Sequence, residues 1–297
     1  MEREKLMLDC LTDAFIDSLK ILPFLFLTYL AMEYLERKTE EESARIVRKA
    51  GRFGPLFGGL LGIVPQCGFS TAGANLYAGR VISVGTMMAV FLSTSDEMLP
   101  ILISTATPVS VIVRIVSVKA VLAVLAGFAI DAVCRAKHIK HTGQPGDEED
   151  LDIERLCEKE ECGCEEGGIF SSALKHTAHI ILFIFAITLV LNLAFEFIGE
   201  DRLAMLIRDR AVLGEMIAAL IGLIPNCGAS VLLTQLYLNG VMNAGQLIAG
   251  LLTGAGVGLL VLFRVNPDTK ENLRIAGLLY ACGVAGGLLV HAVTMLI

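Results

Sequence analysis

Charge is scarce over long stretches of this 297-residue chain. Residues 21–35, 84–92, 98–103, 109–113, 120–130, 180–198 and 278–296 carry almost none. Hydrophobic residues make up 55% of the sequence and the mean hydropathy is +0.68, whereas a soluble domain rarely exceeds about half apolar residues. Several of these blocks approach the roughly 20 residues that a helix needs to cross a bilayer. The strict alternation of a membrane β-barrel is missing. An all-α polytopic membrane protein is the class that remains, with the lipid bilayer as its first partner.

Other absences narrow the function. The start, MEREKLMLDCLTDAF, is interrupted by acids and no small-residue cleavage site follows it, so the first apolar block is expected to be a true span rather than a signal peptide. No basic patch offers itself to nucleic acid, and the net charge of −7 resides in loops. The eight cysteines do not form an extracellular disulfide framework. No Walker A motif is present, which leaves an ion gradient as the energy source for transport. GFSTAG (68–73) lacks the GxSG order of a rhomboid serine site, and no second GxGD-like Asp completes an aspartyl dyad. An intramembrane enzyme is therefore a minor alternative, as is a scaffold that moves nothing.

Against this oily background stand two polar knots, GIVPQCGFS (62–70) and GLIPNCGAS (222–230). Aligned without gaps at an offset of 160, residues 60–102 match residues 220–262 at 14 of 43 positions, among them Pro65/Pro225, Cys67/Cys227, Gly68/Gly228, Ser70/Ser230 and Tyr77/Tyr237. A weaker echo pairs residues 17–35 with 180–198. The chain is read as two homologous halves, 1–134 and 169–297, joined by a polar linker, 135–168. Internal repeats of this kind characterise secondary transporters, whose substrate site lies near the midplane at the repeat interface.

Loop charges suggest that the halves are inverted. Arg37, Lys38, Arg45, Arg48, Lys49 and Arg52 follow the first span, whereas in the equivalent loop Arg202, Arg208 and Arg210 are offset by Glu200, Asp201 and Asp209. Arg80 faces an uncharged twin, and Arg264, Lys270 and Arg274 face the uncharged 104–109. Inversion needs an odd number of crossings per half. That follows if 55–79 and 215–239 are broken, re-entrant hairpins with the P-[QN]-C-G knot at the tip. A kinked full span is the competing reading.

The knots supply the first candidate ligands. Gln66 and Asn226 can donate and accept hydrogen bonds, Cys67 and Cys227 offer soft sulfur, and Ser70 and Ser230 offer hydroxyls. Asp96 and Glu97 sit within an apolar run, where carboxylates are expensive and usually bind ions or carry protons. Their twin segment has no acid. Asp13 and Asp17, and opposite them His176 and His179, suit a divalent cation such as Mn²⁺, Zn²⁺ or Fe²⁺. The linker is basic at first and then strongly acidic, a composition that reads as disordered. Its Cys157, Cys162 and Cys164 form a tract able to chelate metal, and its basic start favours the cytoplasmic side.

The two knots, AVFLSTSDEMLPIL (89–102) and VLFRVNPDTKENL (261–273) together resemble a prokaryotic family described as ten-helix heavy-metal exporters, also labelled manganese transporters and related to arsenic-type permeases. The resemblance covers nearly the whole chain. It implies a multi-pass inner-membrane (plasma-membrane) transporter that exports a metal or a metalloid. The acids at 96 and 97 favour a divalent cation of the Mn, Zn or Fe class over an oxyanion, and an arsenic-type permease is the alternative. No cofactor is expected beyond the transported ion and any metal held by the linker. A homo-oligomer is a further expectation. About eight long apolar segments are visible, and the number rises to ten if broken segments are counted separately.

Overall fold

The computed structural model describes residues 53–64, 68–95, 98–136 and 211–296, together with scattered positions between 11 and 30 and between 174 and 190. Those scattered positions are all helical. The described residues form no strand. Among the described residues ten helices have defined bounds: α1 (Gly54–Leu61), α2 (Gly68–Ala78), α3 (Val84–Ser93), α4 (Met98–Ser104), α5 (Val109–Ala136), α6 (Ala211–Gly222), α7 (Cys227–Leu238), α8 (Ala244–Thr253), α9 (Gly258–Val265) and α10 (Thr269–Leu296). The second five repeat the first five, and both α3/α8 and α5/α10 are offset by the same 160 residues.

Local chemistry places the ends. Ser83 caps α3 by accepting from the Thr86 amide at 3.1 Å. Its twin Asn243 caps α8 with a full capping box, accepting from the Gln246 amide while the Gln246 side chain accepts from the Asn243 amide. The turns before these caps share one geometry. Arg80 (φ 58°) and Gly240 (φ 71°) are left-handed, and the next amide reaches back to Leu76 and Leu236 respectively. This is the usual helix-ending device, and it is carried once by glycine and once by a residue with a side chain.

Small residues set the packing. Gly54, Gly58 and Gly62 recur every four residues, so they share one face of α1. A Cβ on any of them would collide with Thr86, Val90 or Ser93 of α3. Gly214 and Gly222 meet Gln246, Gly250 and Thr253 of α8 in the same way. Such small-xxx-small faces let backbones approach closely where lipid supplies no hydrophobic drive between helices. The order of these contacts is informative. In both halves the early glycine touches the start of the next long helix and the late glycine touches its end. Thus α1 runs alongside α3 in the same direction, as α6 does with α8. The intervening helix, α2 or α7, must carry the chain back to the level at which it started. Each pair is therefore a helical hairpin rather than a kinked rod. Its arms of about 11 residues span roughly 17 Å at 1.5 Å per residue.

The remaining helices include those long enough to cross a membrane. Residues 84–103 and 244–265 qualify, although helix is interrupted at 94–95 and at 254–257; α5 and α10 qualify as unbroken helices. The sequence blocks 109–113 and 120–130 are thus parts of one helix that continues through Arg114 and Lys119. The two broken spans form the core, with 75% and 83% of their residues buried, against 17% and 33% for α5 and α10. Only one face of α5 is covered, at Ile115, Lys119, Ala123, Gly127, Asp131 and Cys134. Val113, Val121, Leu125 and Val133 lie on its bare side, as expected for a surface that meets lipid.

Candidate functional site

Four backbone interruptions lie close together in the centre of the bundle. Within the first half, the end of α1 reaches the end of α3. A Cβ on Gly62 would lie 1.9 Å from Ser93 Oγ. Within the second half, Gly222 abuts Gly250 and Thr253 in the same way. Between the halves, the first turn of α9 rests on α2. A Cβ on Gly258 would lie 2.7 Å from Ser70 Cβ and 2.8 Å from the Ser70 carbonyl oxygen. The reciprocal pair, α7 and α4, is also in contact, as are α3 and α8. The hairpin of each half therefore packs against the broken span of the other. Ten residues of α3 or α8 cover about 15 Å, so the interruptions fall halfway along a 30 Å crossing.

Buried polar groups gather there. Ser70, Thr71, Ser93, Thr94, Ser95, Asn226 and Thr253 are each 3% exposed or less. Several hydroxyls donate to helix carbonyls beside the breaks, in addition to the backbone amides those carbonyls already accept. Thr94 Oγ1 donates to the Val90 carbonyl at 2.7 Å, and Thr253 Oγ1 donates to the Ala219 carbonyl at 2.8 Å. One full charge joins them. Lys119 of α5 is 1% exposed, and its ammonium donates to the Thr94 carbonyl at the end of α3. In the second half the corresponding break, GAGV, is closed by its own backbone, with the Ala255 amide bonded to Thr253 and the Gly258 amide to Ala255. No lysine is needed there, and the residue equivalent to Lys119 is Leu279.

Of the residues singled out from the sequence, Ser70 is fully buried on α2 at the contact with Gly258. Asn226 is buried in the second knot, where its side-chain oxygen accepts from the Gly228 amide at 3.1 Å and so caps α7. Ser230 is half-buried one turn further on, and its carbonyl accepts from Thr234 Oγ1 at 2.7 Å. Gln66, Cys67, Asp96, Glu97, Asp13, Asp17, His176, His179, Cys157, Cys162 and Cys164 lie outside the described residues, as does the side chain of Cys227. Among the described residues no three His, Cys, Asp or Glu side chains gather as a metal site.

Three further polar clusters were not singled out from the sequence. Asp131 accepts from Ser83 Oγ at 2.8 Å and from the Gly85 amide at 2.9 Å, at the start of α3. At the equivalent place in the second half, His291 lies 2.6 Å from fully buried Glu215 and 3.3 Å from Asn243. Tyr77 donates to Glu271 at 2.7 Å, and Asn266 links Glu271 to Asn272. The available signal was a lone polar residue inside an apolar helix, which in a membrane implies a partner.

A family model described as "Putative, 10TM heavy-metal exporter" matches residues 2–197 and 166–295. The chain belongs to this family. Among the described residues, each half carries two hairpin arms, one broken span and one long helix. Comparisons with curated proteins and with solved structures return no match. A heavy-metal exporter family of this kind is a family of membrane transporters, so the central polar region is where a transported ion would be sought.

Proposed function

We propose that this exporter-family protein is a secondary-active transporter that moves a divalent heavy-metal cation of the Mn, Zn or Fe class outward across the cell's inner membrane, driven by an ion gradient. The observation that carries the reading is the meeting of hairpins and broken spans halfway along the crossing. Irregular backbone at membrane depth is tolerated where protein buries it or a cavity hydrates it, and transporters place their substrate sites at such breaks. In this reading Asp96 and Glu97, which follow directly on buried Ser95, bind the cation or carry the counter-ion. Gln66, Cys67, Asn226 and Cys227 complete the ligand set, with Ser70 and Ser230 beside them. The half-helix ends add carbonyl oxygens that suit a cation. Alternating access comes from one bundle moving against the other.

The test is metal uptake into proteoliposomes containing the full chain, screened over Mn²⁺, Zn²⁺, Fe²⁺, Co²⁺ and arsenite. Uptake of a divalent cation that falls at least tenfold in Asp96→Asn and in Cys67→Ala/Cys227→Ala is the expected outcome. Arsenite transport that is unaffected by Asp96→Asn would instead establish the arsenic-type reading.

A further inference from the structure

Glu215, near the start of α6, has 0% exposure, and its Oε2 has no hydrogen-bond partner among the described residues. Its Oε1 lies 2.6 Å from His291 Nδ1 of α10, and the histidine side chain is 17% exposed. His291 also stands at the start of α8. Its Nδ1 is 3.3 Å from Asn243 Nδ2, and a Cβ on Gly245 would lie 2.7 Å from its own Cβ. Three helices thus meet at one ionisable pair. The bland explanation is a strut that ties them together. The first half shows how such a strut is built without the pair. There Asp131, the residue equivalent to His291, accepts from Ser83 Oγ and the Gly85 amide, and α1 has Pro55 where α6 has Glu215. A hydroxyl and a backbone amide do not change charge near neutral pH, whereas histidine does. The second half carries a titratable donor and a buried acid where the first half has neither.

From this we infer that Glu215 and His291 form a proton-binding site that holds α6, and with it the second hairpin, against α10 while the proton is bound. The ligand is a proton rather than a metal. A bridging metal ion with bonds of about 2.1 Å in tetrahedral geometry would keep the nitrogen and oxygen about 3.3 Å apart, and they are closer than that. With Nδ1–H donating to the carboxylate and Nε2 bare, the pair carries one negative charge. A proton taken from water at Nε2 makes it neutral, and His291 is the member that water reaches. A negative pair sealed from water is costly, and a neutral one much less so. The proton therefore favours the closed packing of α6 on α10, and its loss favours an arrangement that admits water to Glu215. Few other charges compete. Helix α8 and the turn before it, 239–243, contain none. The titratable residues of α7 are Cys227 and Tyr237. Those of α10 are Tyr280, whose hydroxyl donates to the Met216 carbonyl at 3.2 Å, and Cys282, with Lys270, Glu271 and Arg274 near its other end. Arg208, Asp209 and Arg210 precede α6 in the sequence and lie outside the described residues. The far end of α6 is Gly222, packed on Gly250 and Thr253 at the central breaks. A movement that wets Glu215 is thus carried along one 12-residue helix to the second knot. The inference goes beyond the proposed transport function and holds for any cargo.

The experiment is amide hydrogen exchange of the full-length protein in lipid, read for α6 relative to α1 between about pH 5 and 8, the range in which histidine changes charge. Helix α1 is the equivalent arm of the first half and has no titratable side chain, so the ratio cancels the intrinsic pH dependence of exchange. As pH rises the pair passes from neutral to negative and α6 opens. Protection of α6 relative to α1 is expected to fall by up to about tenfold per pH unit, the limit for one proton. In Glu215→Gln/His291→Gln both side chains still donate and accept but neither titrates, and the ratio is expected to be the same at every pH. In Glu215→Gln alone, protonation of His291 takes the pair from neutral to positive, so the dependence is expected to reverse and protection to fall as pH falls. Should the double variant fail to fold, Glu215→Gln carries the test. A strut without a proton-binding role lowers α6 protection in the variants by the same factor at every pH. A wild-type ratio that does not change with pH, or one that rises with it, overturns the inference. So does a wild-type slope that persists unchanged in the variants. The transport function is decided separately, by the metal-uptake assay.

Discussion

Gly222 ends α6 against the carbonyl of Gly250, where an added Cβ would lie 1.9 Å from the oxygen. Backbone cannot yield as a flexible side chain can, so Gly222→Ala is expected to cost about 1–3 kcal/mol through overpacking. Gly277 on α10 has nothing within 4 Å of its added Cβ. There alanine removes the entropy penalty of a mid-helix glycine and is expected to stabilise by up to about 1 kcal/mol. Thermal unfolding of the two purified variants should give Tm shifts of opposite sign. Equal shifts would show that the glycines merely fill the sequence. A second residue-scale prediction concerns Glu215, whose Oε2 has no hydrogen-bond partner among the described residues while Oε1 meets His291. The carboxylate that α5 supplies as Asp131 in one half comes from α6 in the other. Glu215→Gln is expected to destabilise by about 3 kcal/mol, the scale of a broken buried pair, and adding His291→Ala should cost little more. Additive losses in that double-mutant cycle would show that the two side chains do not act as a pair. The sequence exposes Asp131, Glu215 and His291 as lone polar residues. It does not reveal the pairing, because the partners lie 76 residues apart on different helices.

Each hairpin follows from two features that the sequence displays and one that it hides. The P-[QN]-C-G knots announce an interruption, because proline withholds an amide and glycine relaxes the backbone. The short arms announce that neither alone can cross a bilayer. The direction of return is hidden, since a kinked span has the same composition. It emerges only when Gly54 and Gly62 are found beside the start and the end of α3, and Gly214 and Gly222 likewise beside α8. Continuity is hidden in the opposite sense in α5, where Arg114 and Lys119 divide the hydropathy into two blocks that the structure joins in one 28-residue helix. A hairpin predicts that single cysteines placed at Phe53 and at Arg80, in a cysteine-free background, react with an impermeant maleimide from the same face of the membrane. Labelling from opposite faces would restore the kinked span.

The whole molecule is organised by a reciprocal exchange. Helix α2 packs on α9 and α7 packs on α4, so the second segment of each broken span is covered by the hairpin of the other half. Repetition was legible at this scale from the matched positions around the knots, and the register of 160 reappears in the helix ends. The central polar region was legible only in part. Ser70 and Asn226 were picked out by the knots, whereas the place of Lys119 depends on how α5 packs against α3. Parity makes the relative orientation of the halves predictable. If the first apolar segment crosses, the hairpin returns, the broken span crosses and α5 crosses, each half makes three crossings and the second half must start on the opposite face. The turns at Arg80 and Gly240 then lie on opposite sides, although they share one backbone geometry. The basic partner would be retained on the cytoplasmic side. A cysteine at position 80 should then be protected from an external impermeant reagent in intact cells, while a cysteine at position 240 should react. Equal reactivity at both positions would mean parallel halves. An even number of crossings per half would then be required, and the shared central route from one face to the other would need a different explanation.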